Sequence, residues 1–278
     1  MVAKTVLRHP LKSAAVVGAA TAAMAVSVAV PAVHAAAEPK EPKPTVVLVH
    51  GAFVDASEWA SVIGNLQRDG YHVVAPANPL RGLASDAAYL RSYLNTIDGP
   101  IVLAGHSYGG AVMTEAAAGD PQVKALVYIA AFALAKGESV NALGAKFPAT
   151  ALSTALTSAS YPLADGGSGV ELYVQPAKFH NVVAADAPVA IADVAAAAQR
   201  PVAASVFAEK TTAAAWKTIP SWDLITTQDQ AINPAEQEFM AKRAHAHIEK
   251  VASSHAVPLT HPDAVTAIIK QASRATSH

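Results

Sequence analysis

The sequence predicts an α/β fold with a mostly parallel central sheet, flanking helices and an inserted helical cap. Three observations carry this. From Thr45 onward, short apolar β-branched runs alternate with amphipathic stretches, the pattern of βα units. The run IVLA leads through GHSYGG directly into AVMTEAAA, a strand that turns sharply into a helix. Between about 133 and 218 the alternation lapses into Ala, Ser, Pro and Gly, yet Phe147, Tyr161, Tyr173, Phe179 and Phe207 remain to be buried, so the stretch reads as a cap rather than disorder.

TVVLV (45–49) is continuous and β-branched, as in a strand covered on both faces. It stops at His50-Gly51. Ser57 reads as a helix cap, followed by Trp59, Val62, Ile63 and Leu66 at helical spacing, until Asp69-Gly70 ends the helix. A strand is expected over 71–75, a helix over 85–95, a strand at 101–104, a helix over 108–118 and a strand over 124–130. Inside the cap, helices are expected over 189–199 and 201–209, with a weak strand at LYV (172–174). Regularity returns with a strand at 221–227, a helix over 234–244 opened by Pro234, a strand at 247–251 and a closing helix over 262–273. There is no internal repeat.

The N-terminus has a separate character. Lys4, Arg8 and Lys12 precede an uncharged Ala- and Val-rich stretch from Ser13 to Val33, and small residues follow at Ala35 and Ala37. That order is expected of a secretory signal and its cleavage region (1–37), with AAEPKEPKP supplying a polar tether (38–44) before the domain at 45–278. A retained anchor is the alternative, since spanning a bilayer takes roughly 20 apolar residues. The expected location is secreted or cell-envelope. A formal net charge of -1 excludes an electrostatic case for nucleic acid, and the lack of clustered Lys or Arg in the cap favours a small neutral partner over an anionic one. With no cysteine, thiolate chemistry and cysteine metal sites are excluded.

Gly105-His106-Ser107-Tyr108-Gly109 fits a G-x-S-x-G elbow in its required strand-to-helix context, which makes Ser107 a candidate nucleophile and places the Tyr108 N–H toward a developing oxyanion. A serine hydroxyl needs a base, and the base needs an acid to orient it. Of the late histidines 245, 247, 255 and 261, His255 lies just beyond a strand, where open α/β sheets gather their sites. His261 reads as a helix start, and His245-Ala246-His247 as surface rather than a metal pair. Asp229 occupies the equivalent edge position after SWDLITT, whereas Asp223 lies within the strand and Glu236 and Glu238 read as solvated charges on the next helix. The second oxyanion donor is expected from Ala52 or Phe53, with Phe53 preferred. His50 and His106 read as scaffold. Phe132, Phe147, Phe179, Trp216 and His180 are candidate pocket residues.

VLVHGAFVDASEW, GHSYGGAV and SSHAVPLTHPDAV, in this order, resemble the α/β-hydrolase superfamily over about residues 45–275, in the branch that holds small bacterial esterases, plant methylesterases and hydroxynitrile lyases. The resemblance implies a triad of Ser107, Asp229 and His255, no metal or organic cofactor, and ester (or lactone or amide) hydrolysis through an acyl-enzyme. The lyase members carry a threonine after the first-strand histidine and a lysine after the base. Here those positions are Gly51 and Ala256, the esterase-type residues. A ligand-binding protein on the same fold and a cofactor-free lyase are the alternative expectations.

Overall fold

Continuous apolar runs such as TVVLV and IVLAGH arise where a strand has no face in water, and the sheet they build is covered on both sides. The computed structural model describes residues 15, 18 and 43–276. The expected signal segment therefore lies almost wholly outside the described residues, and among those described no helix is long and apolar enough to cross a membrane. Contacts divide the chain into Met1–Lys40 and Glu41–His278, and the elements among the described residues belong to the second unit.

In chain order the elements are β1 (Thr45–Val49), α1 (Ala60–Arg68), β2 (Val73–Val74), α2 (Leu83–Leu94), β3 (Ile101–His106), α3 (Tyr108–Ala116) and β4 (Val123–Ile129). The insertion follows, with α4 (Val140–Gly144), β5 (Leu156–Pro162), β6 (Ser168–Val174), α5 (Pro176–Val183), α6 (Val189–Ala197) and β7 (Val202–Ala203). The chain closes with β8 (Ser221–Thr226), α7 (Pro234–Arg243), β9 (His247–Val251), α8 (Val257–Thr260) and α9 (Pro262–Ala275).

The main sheet runs β2-β1-β3-β4-β8-β9 with every pairing parallel. The pleat divides the core by alternation. Val47, Val49 and Leu103 pack with Leu90 of α2 and Val112 of α3, while Val46, Leu48 and Val102 pack with Leu66 of α1 and Ile268 of α9. The chain passes from β1 outward to β2, then returns to β3 on the other side of β1. The order reverses between β1 and β3, so ligands are expected beyond their C-terminal ends, at His50 and Ser107.

The insertion departs from expectation. It is not purely helical: β5 and β6 form an antiparallel hairpin with β7 added at its edge. LTSASYP is largely exposed and polar, so no buried face marks it as a strand. The helix expected over 201–209 is instead the short β7, where Ala203 and Val202 pair with Glu171 and Leu172, followed by a 3-10 turn at Ala204–Phe207. Elsewhere, Asp55 rather than Ser57 caps the turn before α1, its carboxylate accepting the Ser57 N–H at 2.9 Å. His245 has φ 51° just past the end of α7, and His247 stacks on Trp222, so both serve local structure.

Candidate active site

Ser107 follows β3 and precedes α3 with φ 52° and ψ -122°, a conformation that L residues rarely hold. Close backbone crossing sets the neighbouring residue types. A Cβ on Gly105 would lie 2.7 Å from the Gly109 carbonyl, and one on Gly109 would lie 2.4 Å from the Val49 carbonyl oxygen. Only glycine at both places lets the turn close against β1. The Ser107 carbonyl is fixed in turn by the Gly110 and Phe132 N–H groups at 3.0 and 3.1 Å. Tyr108 opens α3, so its N–H has no acceptor within the helix, while its hydroxyl donates to Asp86 Oδ2 at 2.9 Å.

Asp229 and His255 meet at the ends of β8 and β9. His255 Nδ1 donates to Asp229 Oδ2 at 2.8 Å, and both residues are buried. The same oxygen accepts from Thr226 Oγ1 at 2.8 Å and Gln237 Nε2 at 2.9 Å; Oδ1 accepts the Ala231 and Ile232 N–H groups at 2.7 and 2.9 Å. Burial raises the Asp229 carboxyl, but the charge and hydrogen bond of His255 and the two backbone donors outweigh it, so it lies below the usual aspartate value. The alternative acid, Asp223, is buried with neither oxygen hydrogen-bonded among the described residues, and burial holds it well above the usual range. Ser107 and His255 line one cavity, although no hydrogen bond joins their side chains.

Phe53 lies beside Ser107 in this cavity and has φ 65°. Gly51 also packs close to the elbow: a Cβ there would lie 3.0 Å from Ser107 Cβ. Histidine 50 braces its loop, its Nε2 accepting the Asn78 N–H at 2.9 Å.

His106 braces the histidine that carries the base. Its Nε2–H donates to the His255 carbonyl at 3.0 Å, its Nδ1 lies 2.8 Å from Glu58 Oε2, and its ring packs 4.7 Å from that of His255. Burial opposes a charged imidazole here, yet the Glu58 charge and hydrogen bond and the His255 carbonyl prevail, so His106 is raised above 6.5. A raised imidazole contributes stability fully below its unfolded value and loses it as pH rises through the folded value. Glu58→Gln is therefore expected to cost about 3 kcal/mol near pH 5, a loss that shrinks as pH rises through the folded His106 value, measured by chemical denaturation. A loss that stays constant from acid to strongly alkaline pH would mean that Glu58 does not act by holding a charged His106.

The cavity measures about 1010 Å³. Phe53, Phe132, Phe147 and Phe179 all line it, together with Phe207, a cap aromatic outside the expected pocket set. Two expected pocket residues do not. Trp216 is buried with its Nε1–H donating to the Leu134 carbonyl at 2.8 Å, and His180 Nε2–H donates to the Ala187 carbonyl at 3.0 Å, tying α5 to the turn beyond it. Neither ring is in the cavity lining. Glu236 also differs from expectation. Glu238 is the solvent-facing member, ion-paired to Lys242 and Lys250 at 2.7 and 2.9 Å, whereas Glu236 is buried in the cavity wall. The signal lay in helical spacing, which puts Glu236 on the face of Met240, four residues on.

A family model described as "Alpha/beta hydrolase family" matches residues 46–268. An alpha/beta hydrolase, nvfD, of Aspergillus novofumigatus (strain IBT 16806) is 26% identical over 83% of this chain and 96% of its own length. A carbendazim hydrolyzing esterase of Nocardioides sp. (strain SG-4G) is 31% identical, over 35% of this chain and 46% of that protein. Among solved structures, polyneuridine aldehyde esterase superposes with a TM-score of 0.70 at 18% identity, covering 82% of this chain and 98% of that one.

Proposed function

The chain belongs to the alpha/beta hydrolase family, and on that premise we propose that it is a serine hydrolase that cleaves a small ester through an acyl-enzyme on Ser107. The observation that carries the reading is the 2.8 Å bond from His255 Nδ1 to Asp229, which leaves His255 Nε2 as the free base in a cavity that also holds Ser107. His255 Nε2 takes the Ser107 proton as Oγ attacks the ester carbonyl, a contact that tightens when substrate is bound. The Phe53 and Tyr108 N–H groups receive the oxyanion, and the imidazolium returns its proton to the leaving alcohol. Water, deprotonated by the same nitrogen, then releases the carboxylic acid and regenerates the serine.

No Lys or Arg lines the cavity among the described residues, which disfavours an anionic substrate. Gly51 abuts Ser107 too closely to admit a lyase-type threonine without displacement, which supports hydrolysis over elimination. The basic-then-apolar order of the N-terminus supports action outside the cytoplasm.

The test is covalent trapping. Incubation with a fluorophosphonate should add one adduct that maps to Ser107 by peptide mass spectrometry and abolishes turnover of a short-chain p-nitrophenyl ester. Turnover that persists with Ser107 fully labelled would overturn the reading, and an unreactive Ser107 in a protein that still binds ester would point to a receptor.

A further inference from the structure

Glu236 is a carboxyl with no structural occupation. It is the third residue of α7, is 4% exposed, and lies in the wall of the cavity that contains Ser107 and His255. Its Oε1 is buried without a hydrogen-bond partner among the described residues. The helix start needs nothing from it, because Asn233 accepts the Ala235 N–H at 2.9 Å. Gln237, its neighbour, is fully used in holding Asp229 and the Thr226 and Ile232 backbone. Buried polar atoms in folded proteins are nearly always paired, so a bare carboxyl oxygen beside a cavity calls for a partner from the ligand.

The charges around it narrow that partner's chemistry. The charged groups acting on Glu236 are Asp229, from the loop after β8, and Glu138, from the segment before α4. Both are acidic. Glu138 is already matched by Arg243 at 2.8 Å and Lys146 at 3.5 Å. From α4, Gly144 faces the carboxyl without a side chain; a Cβ there would lie 3.8 Å from Oε1. Asp55 adds a further acid group to the lining, where Glu58 is matched by His106 at 2.8 Å, and there is no Lys or Arg among the described lining residues. Burial first, then Asp229 and Glu138, push the Glu236 carboxyl up to about 7. A hydroxyl would satisfy Oε1 but leave the negative field unmatched. An ammonium group supplies both donors and charge.

We infer that Glu236 is a specificity-determining residue that seats a protonated amine of the substrate, so that the preferred substrates are amine-bearing esters rather than plain alkyl esters. This rests on the hydrolase reading above and departs from the neutral partner expected from the sequence, because the ester it favours carries a cationic end.

The experiment compares ω-aminoalkyl esters of graded length with n-alkyl esters of the same length. At the best-fitting length, the kcat/KM ratio of amino to alkyl ester should reach about tenfold near pH 8 and decline as pH falls through about 7, because the amine stays protonated (lysine titrates near 10.4) while Glu236 loses its charge. Glu236→Gln should bring the ratio to one or below and make it independent of pH. It should melt no lower than the parent, since it removes a buried ionisable group. A ratio unchanged by the substitution, or flat with pH in the parent, would overturn the inference while leaving the hydrolase reading intact. If neither series is hydrolysed, the hydrolase reading fails by itself; n-alkylamine binding by calorimetry then decides, with heat lost in Glu236→Gln supporting an amine seat and equal or absent heat in both proteins overturning it.

Discussion

Replacing Ser107 by alanine is expected to lower kcat for ester hydrolysis by about a million-fold with KM within a few-fold, the scale seen when a nucleophile is removed from a serine, histidine and aspartate set. The substitution deletes one oxygen and asks nothing new of the backbone, since the strained φ of 52° is held by contacts outside the side chain. Those contacts are the Gly110 and Phe132 N–H groups on the Ser107 carbonyl and the Gly105–Gly109 crossing, and they remain in place. Substrate should therefore still bind beside Phe53 and Phe179, with the oxyanion donors intact, and a residual rate well above that in water should survive. Stopped-flow or extended-time assays on a p-nitrophenyl ester measure it. A fall of less than about tenfold would mean that the carbonyl is attacked by something other than Ser107.

What could be read in advance, and what could not, divides along a physical line. TVVLV and IVLAGH declare themselves because burial on both faces leaves no polar position, and Ser107, Asp229 and His255 stand out because each lies where a strand run ends. Chain direction in a parallel sheet then puts those ends on one side. β5 carries no such mark, unlike β6 with its LYV run: its side chains are mostly exposed and its order comes from cross-strand pairing with residues further along the chain. Trp216 and Phe147 look alike as sequence, but the Trp216 indole, outside the cavity lining, donates to the Leu134 carbonyl, far off in sequence. Glu58 and Glu236 are the sharper case. An acidic residue on a helix or loop reads as solvated by default, and whether it is buried depends on His106, Gly144 and the cap, all remote in sequence.

Asp229→Asn is expected to lower kcat by about ten-thousand-fold, less than loss of the serine, and by a mechanism that the hydrogen bonds dictate. Five donors converge on this carboxylate: two backbone N–H groups on Oδ1, and Thr226, Gln237 and His255 on Oδ2. An amide can accept on one side only. Its oxygen must face Ala231 and Ile232, whose N–H groups have fixed geometry, so its NH2 is turned toward Gln237 and His255. A donor facing His255 Nδ1 selects the tautomer with the proton on Nε2, and that nitrogen can no longer take the proton of Ser107. Stability should fall too. Because the folded Asp229 carboxyl lies below its usual 3.8, its contribution is present above that pH and is lost as pH falls through the folded value. The gap in denaturation midpoint between parent and Asp229→Asn should hence be widest near neutrality and close in acid. Combining Asp229→Asn with Ser107→Ala should cost little beyond Ser107→Ala alone, because an acid that acts only by setting the base has nothing to act on once the nucleophile is gone. Fully multiplicative losses in the double variant would show instead that Asp229 serves the reaction independently of Ser107, and the assignment of one relay running from Asp229 through His255 to Ser107 would fall.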